Sequence, residues 1–280
     1  MKVLAIFLAV LFNAIADPAL AGVEEALAAM LAGKIDTAVQ QLRPAAEQGD
    51  PRAEFSLGRL HEAGLGVSQD MQEAVRWYRR AAEHDLTQAQ FRLGFLYSTG
   101  QGVPRDDKEA VAWFRRAAEL GNAEAQAGLG MCYLNGNGVP QDYKEGLSWL
   151  RRAAEQGHVV AQHNVSVMYR EGMGVSKDDM ESVKWSRLAA NQKYAGSIRD
   201  LGAVYLLGRG VPSNRVAAYA LLSLAAAIDQ KHDVIIRAPL AKSLSLKEME
   251  EAQTLLREMA IAGNLLKALD LYSLNSPKPG

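Results

Sequence analysis

A chain of 280 residues could hold one or two ordinary globular domains, and its 31 Lys and Arg against 32 Asp and Glu leave a formal net charge of −1. That balance supplies none of the concentrated positive field that draws a protein to nucleic acid or anionic lipid. A single cysteine, Cys132, rules out an intramolecular disulfide framework; beside Tyr133 in an apolar helical run, it reads as a buried structural thiol.

The first segment reads as a secretory signal peptide over residues 1–21. Lys2 gives the positive start, Val3 to Ile15 is apolar with Asn13 as its one polar residue, and Ala19-Leu20-Ala21 makes an A-x-A cleavage box. The apolar run is short for a membrane span. Gly22 stands where a lipoprotein would need cysteine. The expectation is cleavage after Ala21, release to the periplasm or the medium, and no stable membrane insertion afterwards.

Residues 22–49 read as an N-terminal capping helix pair, a partial copy of the repeat unit. Residues 50–227 are governed by one period. Trp77, Trp113, Trp149 and Trp185 are each 36 residues apart (113−77, 149−113, 185−149). The pairs Ala45-Ala46 through Ala225-Ala226 keep the same step, as do the G-x-G-V loops beginning at Gly64, Gly100, Gly136, Gly172 and Gly208. A period of this length held without insertion marks a solenoid of supersecondary units.

Each unit reads as two helices. The first, such as Thr87 to Ser98, ends at the two loop glycines, where a helix can stop at positive φ. The second opens with D-x-x-E at Asp70/Glu73, Asp106/Glu109, Asp142/Glu145 and Asp178/Glu181, the spacing of a capping box. In it Ala110, Trp113, Ala117 and Ala118 form one apolar stripe, with tryptophan filling the gap between units and the alanines admitting close helix approach. Arg79-Arg80, Arg115-Arg116 and Arg151-Arg152, followed by Glu83, Glu119 and Glu155, read as solvated i,i+4 ion pairs. Residues 228–262 read as C-terminal capping helices, and residues 263–280 as a tail, partly disordered. The fold expected is therefore all-α: a right-handed α-α superhelical solenoid of helix-turn-helix repeats with a C-terminal helical cap.

The landmarks Ala89, Leu93-Gly94, Tyr97, Gly100, Gly102-Val103, Asp106, Ala110, Trp113 and Ala117-Ala118 make a specific motif. It resembles the Sel-one-like repeat family, relatives of the tetratricopeptide repeat with a longer loop, in a form like the bacterial exported members. The resemblance spans about Ile35 to Ala227. The sequence departs from it where Val165-Ser166 replaces Leu-Gly, Leu221 replaces a fifth tryptophan and His61 replaces the first tyrosine. The resemblance implies a scaffold or adaptor in envelope assembly, signalling or host contact. Members described as acting on β-lactams carry paired cysteines in every repeat, which this chain lacks.

No catalytic constellation is evident. His61, His84, His158, His163 and His232 are scattered, and neither H-E-x-x-H, C-x-x-C nor G-x-S-x-G occurs. The G-x-G-V loops lack the preceding strand and following Lys-Ser/Thr of a phosphate cradle. No cofactor and no metal are expected. Partner recognition is expected instead on the face of the first helices that differs between units, which by analogy with tetratricopeptide repeats lines the concave wall. That face carries Phe55, Arg59, Phe91, Arg92, Phe95, Met131, His163, Asn164 and Arg199 as candidate binding residues, together with Ser56 and Asp200. The phenylalanines would anchor a protein or peptide unless they only complete the core, and Arg92 and Arg199 would meet an acidic or C-terminal carboxylate. The reading is a non-enzymatic exported adaptor. The alternatives are a cell-envelope hydrolase, active on β-lactam or peptidoglycan, and a secreted host-interaction factor.

Overall fold

The computed structural model describes residues 21–229, 234–261 and 263–275; the signal-peptide reading and His232 lie outside them. The described residues form helices joined by short loops, without strands, and divide into two compact units at Pro140/Gln141.

The first unit runs α1 (Ala21–Leu31), α2 (Ile35–Glu47), α3 (Pro51–Ala63), α4 (Met71–Glu83), α5 (Thr87–Thr99), α6 (Asp107–Glu119) and α7 (Ala123–Asn135). The second runs α8 (Tyr143–Glu155), α9 (Val159–Glu171), α10 (Asp179–Asn191), α11 (Ala195–Leu207), α12 (Arg215–Asp229), α13 (Val234–Ser243), α14 (Leu246–Ala260) and α15 (Leu265–Asn275). Within each unit every repeat helix packs on its neighbour in sequence. The segment read as a tail thus begins with a helix, α15, whose Leu265, Ala268 and Leu269 are buried in the second unit's core. Sequence periodicity missed it because it stands outside the 36-residue register.

The repeat helices start and stop for local reasons. Asp70, Asp106, Asp142 and Asp178 each accept backbone N–H bonds from the second and third helical residues at 2.9–3.1 Å. Their glutamates do not complete a capping box; that motif occurs at Ser245/Glu248, opening α14. Glu145 and Glu181 accept instead from the indole N–H groups of Trp149 and Trp185, at 2.8 and 2.9 Å. The D-x-x-E spacing therefore serves two ends, a helix cap and a tryptophan one turn further on.

The tryptophans are not equivalent. Trp77, Trp149 and Trp185 are 7%, 7% and 5% exposed, whereas Trp113 is half-buried, and a guanidinium lies over three of the four indoles: Arg80 on Trp77, Arg116 on Trp113 and Arg152 on Trp149. Of the predicted i,i+4 ion pairs only Arg151–Glu155 forms, at 3.1 Å. Arg79 and Arg115 reach the next helix instead, donating to the hydroxyls of Tyr97 and Tyr133 at 2.6 and 2.8 Å. An arginine long enough to tie two helices together makes a better-ordered bond there than to an exposed neighbour.

Close helix approach rests on glycine as well as on Ala-Ala. A Cβ at Gly94 would meet the Phe114 ring at 2.5–3.0 Å, and one at Gly58 the Tyr78 ring at 2.7 Å. Where Ser166 replaces this glycine, the partner column narrows to Ser186, and Ser166 bonds Ser182 across the pair at 3.2 Å. The departure noted at Val165-Ser166 is thus compensated in the facing helix.

A second column crosses between repeats. Gln90, Gln126 and Gln162 are buried and donate Nε2 to the carbonyls of Ala82, Ala118 and Ala154, each at 3.1 Å. Glu54 holds this place in the first repeat, and there Arg80 Nη2 donates to the Ala46 carbonyl at 2.8 Å. Glu54 has no exposed surface, and neither of its oxygens has a well-aligned hydrogen bond, although Arg80 Nε lies 2.9 Å away. Burial pushes its carboxyl above the usual range, with Arg80 and His84 opposing. A carboxyl whose folded pKa is raised adds stability below its unfolded pKa and loses it as pH rises through the folded value. Glu54→Gln removes a buried charge and restores the amide of the other repeats. It should raise the unfolding free energy at pH 7 by about 1 kcal/mol, an advantage that shrinks as pH falls through the carboxylate range. Denaturant titrations of both proteins at several pH values check this; a loss of stability at pH 7 would contradict it.

Candidate functional site

The variable face of the first helices opens into a groove in the first unit. On α3, Phe55, Arg59 and Glu62 fall at i, i+4 and i+7 and so share one side. On α5, Gln88, Phe91 and Arg92 face them, and Asn122 and Glu124 at the start of α7 close the rim. The space enclosed is about 470 Å³.

Its aromatic residues do both things the sequence left open. Phe55 rests on Tyr78 of α4 with centroids 5.4 Å apart, and Phe91 on Phe114 of α6 at 5.9 Å. Both phenylalanines are nonetheless only half-buried and line the groove. Each therefore finishes the core with one edge and offers the other.

The polar floor is a network centred on Glu62. Arg92 forms an ion pair with it, its Nε donating to Oε2 at 3.1 Å, and the Tyr78 hydroxyl donates to the same Oε2 at 2.5 Å. Burial, reinforced by the Glu62 charge, raises the Tyr78 phenol far above its ordinary value, so it stays a donor. Burial holds the Arg59 guanidinium below its usual range, with Tyr78 and Glu62 opposing and Arg92 reinforcing. Arg92 also lies over the Phe95 ring, 4.9 Å from its centroid. Arg92 is thus ion-paired with Glu62 and Arg59 lies in the field of the same carboxylate, in a groove that Phe55 and Phe91 also line.

Four of the nine predicted residues, Phe55, Arg59, Phe91 and Arg92, line this groove together; Phe95 sits beneath Arg92, and Met131 is half-buried on α7 outside the lining. The other three belong to the second unit. There His163 Nδ1 lies 3.0 Å from Ser197 Oγ and 3.8 Å from Asp200, its ring packs on Tyr194 at 5.0 Å, and Asn164 is half-buried beside it in sequence. Arg170 donates to Asp200 at 2.9 Å, and Arg199 is ion-paired with Asp229. Arg92 and Arg199, expected to meet a partner's carboxylate, are each paired with a carboxylate of the chain itself, Glu62 and Asp229. Fold geometry brings those acids in from other helices, which no single-helix pattern reveals.

Glu62, Tyr78 and Arg170 carry no expectation from the sequence, whereas Asp200 stands beside Arg199 on the variable face. A signal for the two ion pairs exists: Glu62/Arg92 and Arg170/Asp200 occupy the same two repeat columns, 30 residues apart (92−62, 200−170), with their charges exchanged. The grouping of Ser197, His163 and Asp200 does not build a nucleophilic triad. Ser197 has no exposed surface, and serine and aspartate both address Nδ1, whereas a relay needs them on opposite ring nitrogens. Burial, reinforced by Arg170 and opposed by Asp200, lowers the His163 pKa. Burial likewise pushes the Cys132 thiol up to about 11, leaving it protonated and unreactive at neutral pH. Among the described residues no group of three or more His, Cys, Asp or Glu converges as a metal site, and no helix is long and apolar enough to cross a membrane.

Comparison with known proteins supplies the remaining context. The Sel1 repeat family profile matches five consecutive segments, residues 51–86, 87–122, 123–158, 159–194 and 195–229. A Sel1 repeat protein from Oxalobacter formigenes is 30% identical in sequence; the match covers 85% of this chain and 98% of that one, with a TM-score of 0.75. A protective antigen present in uropathogenic Escherichia coli strains, displaying an SLR fold, matches at 22% identity over 88% of this chain and 76% of its own, with a TM-score of 0.40. An immunity protein from Pseudomonas aeruginosa matches at 22% identity over 84% of this chain and 86% of its own, with a TM-score of 0.48. No curated protein matches. By its five contiguous repeats and its likeness to the Oxalobacter protein, the chain belongs to the Sel1 repeat family, helical-repeat scaffolds that commonly mediate protein–protein interaction.

Proposed function

We propose that the protein is a non-enzymatic exported scaffold that binds a protein or peptide through the groove between α3 and α5. The observation that carries this reading is the convergence of half-buried Phe55 and Phe91 over the Arg59–Glu62–Arg92 floor. Rigid rings on packed helices offer apolar area at little entropic cost, and the paired charges beneath give a partner's polar groups fixed geometry. Phe91 and Gln88 face the groove without belonging to its ion-pair network. Export rests on the residues of the first segment, Lys2, the apolar run and the Ala19-Leu20-Ala21 box.

The test is photo-crosslinking in cells from position 88, on protein recovered from the periplasm or medium and beginning at Gly22. A discrete partner should be captured, and Phe91→Ser should lower its yield about tenfold with helicity unchanged by circular dichroism. A bulky Gln88→Trp plug, with the crosslinker moved to position 124, should do the same. Undiminished capture in both variants would place recognition elsewhere, and an uncleaved N-terminus would refute export.

A further inference from the structure

A second groove lies on the last described hairpin, within the second unit. Helices α14 and α15 pack together with the Tyr272 hydroxyl donating to Glu251 at 3.2 Å. Ala252, Leu255 and Met259 of the first helix and Leu265, Ala268 and Leu269 of the second are buried. The groove between the two helices has a volume of about 580 Å³ and is lined by α14 and α15 alone. Its apolar surface comes from Leu271, 50% exposed, and half-buried Tyr272, above a base formed by buried Leu255. The same two helices expose two further leucines, Leu246 of α14 at 88% and Leu274 of α15 at 80%. Three exposed leucines on one hairpin are costly to leave in water unless something covers them.

The charge on the same walls is one-sided. Glu250, Glu251 and Glu258 line the groove against a single cation, Lys247 at one end. Glu251 is engaged by Tyr272, whereas the carboxylates of Glu250 and Glu258 make no ion pair among the described residues. A second copy of the chain docked about a two-fold axis would set these glutamates against themselves, and an anionic lipid surface would be repelled. A cationic partner gains at each of them.

We propose that this groove docks a basic amphipathic helix of a partner protein, its leucine-like face on Leu271 and Tyr272 and its lysines or arginines on Glu250, Glu251 and Glu258. Glu250 to Glu258 spans about 12 Å along α14, so a partner segment of about three turns covers it. Charged residues on the walls set the encounter rate and the partner choice, while the leucines hold the complex.

A fluorescein-labelled helical peptide of leucines on one face and lysines on the other, about four turns long, is the probe. Anisotropy titration of the purified protein should show salt-sensitive binding, and the matching leucine/glutamate peptide should not bind. Glu250→Lys with Glu258→Lys should weaken binding about tenfold or more, and Leu271→Ser should weaken it without changing charge. Glu83→Lys with Glu119→Lys alters the net charge equally on other helices and should leave affinity within about twofold. Circular dichroism confirms that each variant stays helical. Absence of binding, or equal loss in both charge-reversed pairs, would overturn the proposal. So would self-association of the wild type that the groove variants abolish, since the occupant would then be a second copy.

Discussion

Trp149→Ala should lower the unfolding free energy by about 3–5 kcal/mol. The indole is 7% exposed, so truncation leaves a cavity that flanking helices can only partly close, and it strands the Glu145 carboxylate that accepts its N–H at 2.8 Å. Arg152 also loses the ring it lies over, 4.6 Å from the centroid. Trp113→Ala should cost distinctly less, because Trp113 is half-buried. Guanidinium denaturation of the two variants measures the difference. Equal losses would mean that the four tryptophans share one environment, contrary to the packing described.

Gly138→Ala should cost about 2–4 kcal/mol, more than any helix-stop explanation allows. Gly138 has φ +70°, which alone disfavours a side chain, and a Cβ there would overlap the backbone carbonyl of Asp107 at the start of α6. The same contact recurs in that unit between Gly102 and Met71, where a Cβ would lie 2.6 Å from the carbonyl oxygen. Gly100→Ala is the comparison. Its φ is +72°, but a Cβ there meets nothing nearer than the Arg105 Cβ at 3.4 Å, so only backbone strain of about 1 kcal/mol applies. Thermal or denaturant unfolding should therefore separate the two glycines of the G-x-G-V loop. If both substitutions cost the same, the second glycine is not a joint between repeats.

The two glycines show how far pattern reading reaches. Gly100 accounts for itself locally: its N–H closes α5 on the Leu96 carbonyl at 2.9 Å in a left-handed turn. Gly138 also has a positive φ, but its full cost comes from a carbonyl 31 residues earlier (138−107), which arrives there because the helices stack. The glutamate of D-x-x-E repeats the lesson. Its spacing fits a capping box, yet at Glu145 the indole four residues on competes for the same carboxylate and wins. In the groove, the phenylalanine and arginine positions were visible as the columns that vary between repeats, while Glu62 and Tyr78 were hidden as an acid at a helix end and a core ring.

What the 36-residue period determined by itself is the order, length and pairing of the repeat helices, because caps, stops and apolar stripes are set by neighbours within a turn or two. Tertiary structure alone decided which charges are already matched, which tryptophan is half-exposed and where grooves open. Those outcomes depend on side chains from helices about 30 residues apart, such as Glu62 and Arg92, meeting at distances that no local spacing encodes.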